Sequence, residues 1–273
     1  MKITSNLLVS FYRIWHGKFH LKGAGYLLRR ASGILPALRH YPLFVPIIGY
    51  VPIDISDDSG MAWLNQSLGE DGQEEGLLKC AKKYVPSPKC IWDVGANGGN
   101  FGTQILQAYP NMERLYLFEP NPAMHEMLET VEKSRPGIAL CLFALSDTNG
   151  KATLSFDSGT SSMASLLGSS KGSQIDVDVK TGDGFLSQNP DAIPDLIIID
   201  VEGAEKNVLS GMQDLLNRHK PVVIFEQIFF DPAILDTVMP GGYTRFTIDD
   251  RTGKLIQGFN LKAGHNGIFL PLC

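Results

Sequence analysis

The first 53 residues contain no acid. Seven bases stand there, at Lys2, Arg13, Lys18, Lys22, Arg29, Arg30 and Arg39, which leaves 17 bases against 29 acids in the rest of the 273-residue chain. The net charge of −5 is wrong for a nucleic-acid binder, which carries a basic excess. Cysteine is sparse: Cys80, Cys90, Cys141 and Cys273 form neither a C-x-x-C pair nor a zinc-like spacing, and a reducing cytoplasm suits them. Long apolar runs are missing too, since none reaches the roughly 18 residues of a membrane span. A compact apolar stretch with a small-residue cleavage site is absent from the N-terminus, so no secretory signal is expected. What remains is ordinary globular composition, 44% hydrophobic and 19% charged. A cytoplasmic chain is expected, with the basic N-terminal segment open to three readings: packing on the main domain, a wall or dimer contact, or peripheral contact with an anionic membrane surface.

Residues 5 to 30 mix apolar and basic positions and read as one or two short amphipathic helices. YPLFVPIIGYVPIDI follows, whose prolines at 42, 46 and 52 exclude a helix and predict extended segments. SDDSGMAWLNQSLGEDGQEE reads as polar and turn-rich, and EEGLLKCAKKYV as a helix ended by Pro86 and Pro88. A rhythm then begins. CIWDV, RLYLFEP, IALCLFAL, DLIIID and PVVIFEQ are short apolar strands, and NFGTQILQAY, NPAMHEMLETVEKS and GAEKNVLSGMQDLLNRH are helices between them. KATLSFD and QIDVDVK alternate like exposed strands around a Ser-rich loop at 158–173, while YTRFTIDD and GIFLP supply late strands. Apolar strands alternating with helices predict an α/β domain with a mostly parallel sheet covered on both faces. The expected division is an N-terminal basic and apolar extension, 1–73, and one domain, 74–273.

WDVGANGGNFG joins the first strand of that rhythm to its helix. Such turns bind ligands at the carboxyl ends of open sheets. Gly95 suits backbone angles closed to other residues, Gly98 and Gly99 are expected to leave a ligand room, and the following helix start offers free amides. The dinucleotide pattern G-x-G-x-x-G is missing. Asp93 would repel a pyrophosphate but can position a cationic ammonium, which turns the expectation from NAD to S-adenosylmethionine. Glu119, ending the second strand, suits the two hydroxyls of a ribose, or alternatively an N-cap near Pro122. Leu145, Ser146 and Asp147 fall where an adenine would lie, with Asp147 equally readable as a turn former.

DVGANGGNFG, LFEPNP, ALSDTNGKATL and DLIIIDVEGAEKNVLSGM, in that order between about Glu74 and Gln227, resemble the FkbM family of S-adenosylmethionine-dependent methyltransferases. The resemblance implies a Rossmann-like sheet of seven strands with an antiparallel last pair, and O-methylation, often of sugars or glycosylated products. It marks Asp93, Gly95, Asn97 and Glu119 as cofactor contacts; Ala96, Gly98, Pro120, Leu145, Asp147 and Asp200 are expected to join them. It also implies that Asp200 and Glu202 face the transfer site. Gly99 departs from the apolar residue expected there.

Methyl transfer to a hydroxyl needs alignment and a group that takes the proton. Asp200, Glu202 and Glu226 are expected at or just past neighbouring strand ends. In one arrangement Asp200 or Glu202 acts directly on the hydroxyl. In the other, Asp200, Glu226 and Gln227 hold a divalent cation that acidifies it; the metal-free arrangement is the one expected. Glu205 reads as a helix or cap residue, His125 as solvated, and His265 as surface or as a late reach into the site. The acceptor expected is a small molecule or glycan. Two rivals stand beside this: an NAD-dependent oxidoreductase, and a scaffold that binds cofactor without turnover.

Overall fold

The computed structural model describes residues 9–10, 12, 27–28, 30–31, 38, 40–67, 75–156, 164–165, 174–227 and 231–272. The amphipathic helices expected over 5–30 and the Ser-rich loop at 158–173 lie largely outside the described residues. The proline-rich stretch is a hairpin, β1 (Tyr41–Val45) and β2 (Gly49–Ile53), paired antiparallel. Residues expected to be turn-rich instead form helix α1 (Asp58–Gln66), capped by the Asp57 carboxylate accepting from Ser59 N–H. Met61, Trp63 and Leu64 are buried along it, which a polar average hides. Helix α2 (Glu75–Tyr84) follows as expected.

Strand β3 (Cys90–Val94) runs into α3 (Asn100–Ala108), β4 (Arg114–Phe118) into α4 (His125–Ser134), and β5 (Ile138–Cys141) lies beyond β4. IALCLFAL is not one strand. After β5 the chain leaves the main sheet and Ala144–Leu145 form β6 in a second, four-stranded sheet, ordered β6-β9-β7-β8, with β7 (Gly150–Phe156), β8 (Ala164–Ser165) and β9 (Gln174–Lys180). Helix α5 (Gly182–Gln188), capped by Thr181, leads to β10 (Leu196–Ile199).

The expected single helix after β10 is two, α6 (Glu205–Ser210) and α7 (Gln213–His219). The break falls at Gly211, whose missing Cβ would sit 1.9 Å from the Ser146 carbonyl oxygen. β11 (Val222–Glu226), α8 (Ala233–Asp236), β12 (Tyr243–Ile248), β13 (Leu255–Gln257) and β14 (Asn266–Pro271) complete the described chain.

The main sheet runs β13-β12-β14-β11-β10-β3-β4-β5. β11, β10, β3, β4 and β5 are parallel, and β12 and β14 pair antiparallel as expected, with the short β13 added at the edge. The chain leaves β3 toward β4 and β5, then returns on the other side with β10 and β11. Strand order therefore reverses between β3 and β10, the place where open α/β sheets hold ligands. Alternation along the strands separates two cores. Ile91, Leu115, Leu117, Ile198 and Ile224 pack with Trp63, Leu64, Leu77 and Leu128. Trp92, Val94, Phe118, Ile197 and Phe225 pack with Phe185, Val208 and Leu216 on the other face. No helix among the described residues is long and apolar enough to cross a membrane.

Candidate functional site

At the switch point the ends of β3 and β10 touch backbone to backbone. Asp200 N–H donates to the Val94 carbonyl at 2.9 Å, and Gly95 and Ala96 N–H both donate to Phe118 O at 3.0 Å. Gly95 has φ +90°, and a Cβ there would lie 1.8 Å from the Asp200 carbonyl oxygen. Only glycine satisfies both conditions. Asn97 also takes a left-handed conformation, φ 49°, which asparagine tolerates better than most residues. Its N–H donates to Glu119 Oε2 at 2.8 Å, and its own Oδ1 accepts from Gly98 N–H and from Ser59 Oγ.

Gly98 and Gly99 correct one expectation. The space beside Gly98 is taken by Met127, Ser59 and Trp63, and that beside Gly99 by Leu128 and Val131. Both glycines admit protein packing, and Gly98 lines neither cavity described below. Helix α1 supplies much of that packing. Trp63 Nε1 donates to Gly98 O at 3.0 Å and Ser59 Oγ to Asn97 Oδ1 at 2.6 Å, so a segment outside the expected motifs braces the turn.

Two cavities open here. The first, about 710 Å³ with its mouth, is lined by Glu119, Pro120, Asn121 and Met124 on one side, Leu145 and Leu154 of the second sheet on another, and Asp200, Val201 and Glu202. The second, about 970 Å³ with its mouth, is lined by Asp93, Ala96, Asn100 and Phe101, by Ala62 and Leu77 of α1 and α2, and by Glu226, His265 and Asn266. Gly95, Asn97 and Asp200 belong to both. Among the described residues lining them there is no lysine or arginine.

Glu119 is buried, and its two oxygens accept from Asn97 and Asn121 N–H at 2.8 Å each. Burial pushes its carboxyl up to about 7 against those donors, with Asp200 adding to the rise. The N-cap role belongs to Asn121, whose Oδ1 accepts from Ala123 N–H. Asp200 opens onto the cavity space; withdrawal from bulk water raises its carboxyl, and a hydrogen bond with Glu226 acts the other way. Withdrawal from water and the neighbouring Asp200 and Glu205 lift Glu202 to about 7. Withdrawal from water first, then the charges of Asp200, Glu202 and Glu205, carry Glu226 to about 9. Glu202 holds φ 52°, the second left-handed residue that is not glycine at this site.

Glu205 is fully buried, and its Oε1 accepts from the Val201 and Gly203 N–H groups, so it shapes the D-V-E-G loop from behind. Asp147 stands apart from both cavities, exposed, bonded to Ser146 Oγ and Asn207 Nδ2. Gln227 likewise lines neither; its amide nitrogen donates to Thr247 Oγ1 and Gly264 O. Asp200 and Glu226 thus meet at the second cavity without Gln227, and no group of three His, Cys, Asp or Glu among the described residues could hold a metal ion. His125 is half-buried, with its ring hydrogen-bonded to the Glu119 backbone and its pKa lowered by burial, where a solvated ring was expected. His265 does reach the second cavity, with Nδ1 3.6 Å from Asp250 Oδ2. Asn100, Phe101, Ala62, Leu77 and Asn266 were not expected as lining residues; Asn100 and Phe101 were reachable from the helix start after the glycines, the others only from the fold.

A family model described as "Methyltransferase FkbM domain" matches residues 93–241. The hexuronic acid methyltransferase AglP of Haloferax volcanii is 25% identical over 160 residues, covering 58% of this chain and 64% of that one. A solved methyltransferase FkbM from Methylobacillus flagellatus superposes with a TM-score of 0.48 at 13% identity, covering 89% of this chain and 59% of that one. A precorrin-6y C5,15-methyltransferase from Geobacter metallireducens gives a TM-score of 0.40 at 14% identity, covering 72% and 86%. The chain spans less than two thirds of the length of the first two.

Proposed function

The chain belongs to the FkbM family of methyltransferases, and from that premise we propose that it moves a methyl group from S-adenosylmethionine to a hydroxyl of a saccharide or glycoconjugate. One observation carries the choice of cofactor. Asp93, Glu119 and Asp200 line the cavities at the switch point, and no lysine or arginine stands among their described lining residues. That acidic set suits a ligand with cationic centres and no phosphate, and it opposes the pyrophosphate of NAD. The relative's acceptor, a hexuronic acid, supports a sugar.

Glu119 fits the ribose end. Each of its oxygens accepts one backbone N–H and keeps a lone pair for a hydroxyl. Leu145 and Leu154 give the first cavity an apolar wall for a purine. In the second, Asp93 and the free amides at the start of α3 suit an amino-acid end, ammonium to the carboxylate and carboxylate to the amides. S-adenosylmethionine supplies a methyl group already activated by its sulfonium.

The chain's own task is to align an oxygen, exclude water and take a proton. Glu202 is our choice of base, because a carboxyl near 7 is partly ionised at neutral pH and still basic enough to accept. Glu226, pushed up to about 9, donates toward Asp200, which faces the cavity as an orienting acceptor for the sugar hydroxyl. Neither role calls for a metal.

The test is transfer of tritiated methyl from S-adenosylmethionine to a glycoside panel, followed by mild alkali. Label that survives is an ether on a hydroxyl, as proposed. Label released by alkali is an ester, which would refute hydroxyl transfer.

A further inference from the structure

Granting the saccharide reading, the charge of the acceptor can be taken further. The amino-acid end of the cofactor accounts for Asp93 and the α3 start, leaving Asp200, Glu226, His265 and Asn266 of the second cavity's lining for the acceptor. Asp200 also borders the first cavity beside Glu202. An acceptor there meets the carboxyl groups of Asp200 and Glu226, with Glu202 on the wall of the adjoining first cavity.

We propose that the acceptor is a sugar without a carboxylate, held at Asp200, Glu226 and Asn266 in the second cavity, and that hexuronates are rejected there by charge. The hydroxyls of a neutral sugar donate well to carboxylate and amide oxygens, and Leu77 offers an apolar wall for a ring face. A uronate can donate no proton from its carboxylate and brings a like charge to the proton-sharing Asp200–Glu226 pair. Three acids already crowd each other: Asp200 helps lift Glu202, and Asp200 and Glu202 both help lift Glu226. The one basic side chain among the described lining residues of this cavity is His265, and it faces Asp250. Its imidazole lies 3.6 Å from the Asp250 carboxylate and is 52% exposed at the rim. This separates the chain from its hexuronic acid methyltransferase relative, which shares 25% identity with it.

The experiment compares matched pairs, p-nitrophenyl glucoside with glucuronide and galactoside with galacturonide, using the full chain, tritiated S-adenosylmethionine and parallel calorimetry of cofactor binding. The neutral member is expected to win by about tenfold or more in kcat/KM. Equal or greater transfer to the uronide, as ether or ester, overturns the inference and leaves the methyltransferase reading standing. Cofactor binding with no label in any member counts against the sugar acceptor and against the inference with it. Failure to bind S-adenosylmethionine removes the reading underneath. Asn266→Lys gives a second measure, since an ammonium beside Glu226 should narrow the neutral-over-uronide ratio by about tenfold. An unchanged ratio in a folded variant would also overturn the proposal.

Discussion

A Cβ on Gly95 would lie 1.8 Å from the carbonyl oxygen of Asp200. The glycine turn after β3 and the acid after β10 are thus seated on one another through bare backbone, and the geometry of the one sets that of the other. Gly95→Ala should cost about 2 kcal/mol or more, from the left-handed φ and the clash together. A lower Tm and loss of S-adenosylmethionine binding by calorimetry are expected; unchanged binding would mean the contact is dispensable.

Helix α1 braces the same turn from outside the matched domain. Trp63→Phe removes the hydrogen bond to Gly98 O, and Ser59→Ala the one to Asn97. Each should weaken cofactor binding by about fivefold, the worth of one hydrogen bond near 1 kcal/mol, with the acceptor KM little changed. A change confined to acceptor KM would contradict this.

How much of this could be read from residues alone divides by the physics. Short continuous apolar strands such as DLIIID bury both faces and announce themselves, and the carboxylates Asp93, Glu119 and Asp200 stand at or near their ends, so the sheet and the glycine turn were legible. Helix α1 was not, because its buried Met61, Trp63 and Leu64 sit in a run of Asp, Ser, Asn and Gln; the Asp57 cap was the available signal. Nor was the break in IALCLFAL. Leu142 is 47% exposed between β5 and β6, where the chain changes sheets despite its uniform apolar character. The second cavity combines Ala62, Phe101 and Asn266 from distant segments, a meeting that only tertiary structure creates.

Glu202→Gln should lower kcat by about a hundredfold or more while cofactor binding holds. With its carboxyl at about 7, wild-type kcat should climb as pH rises and level off above that value. The Gln variant should lose that limb along with its rate. A variant that keeps the limb would assign the titration to another acid.

Stability should move the opposite way with pH. Glu119, Glu202 and Glu205 rise from 4.5 to about 7 in the folded chain, and Glu226 to about 9. The folded state therefore binds more protons than the unfolded one between those limits, so stability present below 4.5 declines as pH climbs. Tm should fall from pH 5 to pH 9 in the absence of cofactor. Glu205→Gln keeps an acceptor for Val201 and Gly203 N–H and should flatten the part of the slope between 4.5 and 7. A slope unaltered there would contradict the assignment of the buried acids.

The central claim is that the acidic switch point holds S-adenosylmethionine. Titration calorimetry of the full chain with S-adenosylmethionine, S-adenosylhomocysteine and NAD tests it most directly. Micromolar binding of the two sulfur compounds and none of NAD is the result expected. Binding of NAD alone would contradict the account and leave an oxidoreductase on the same sheet.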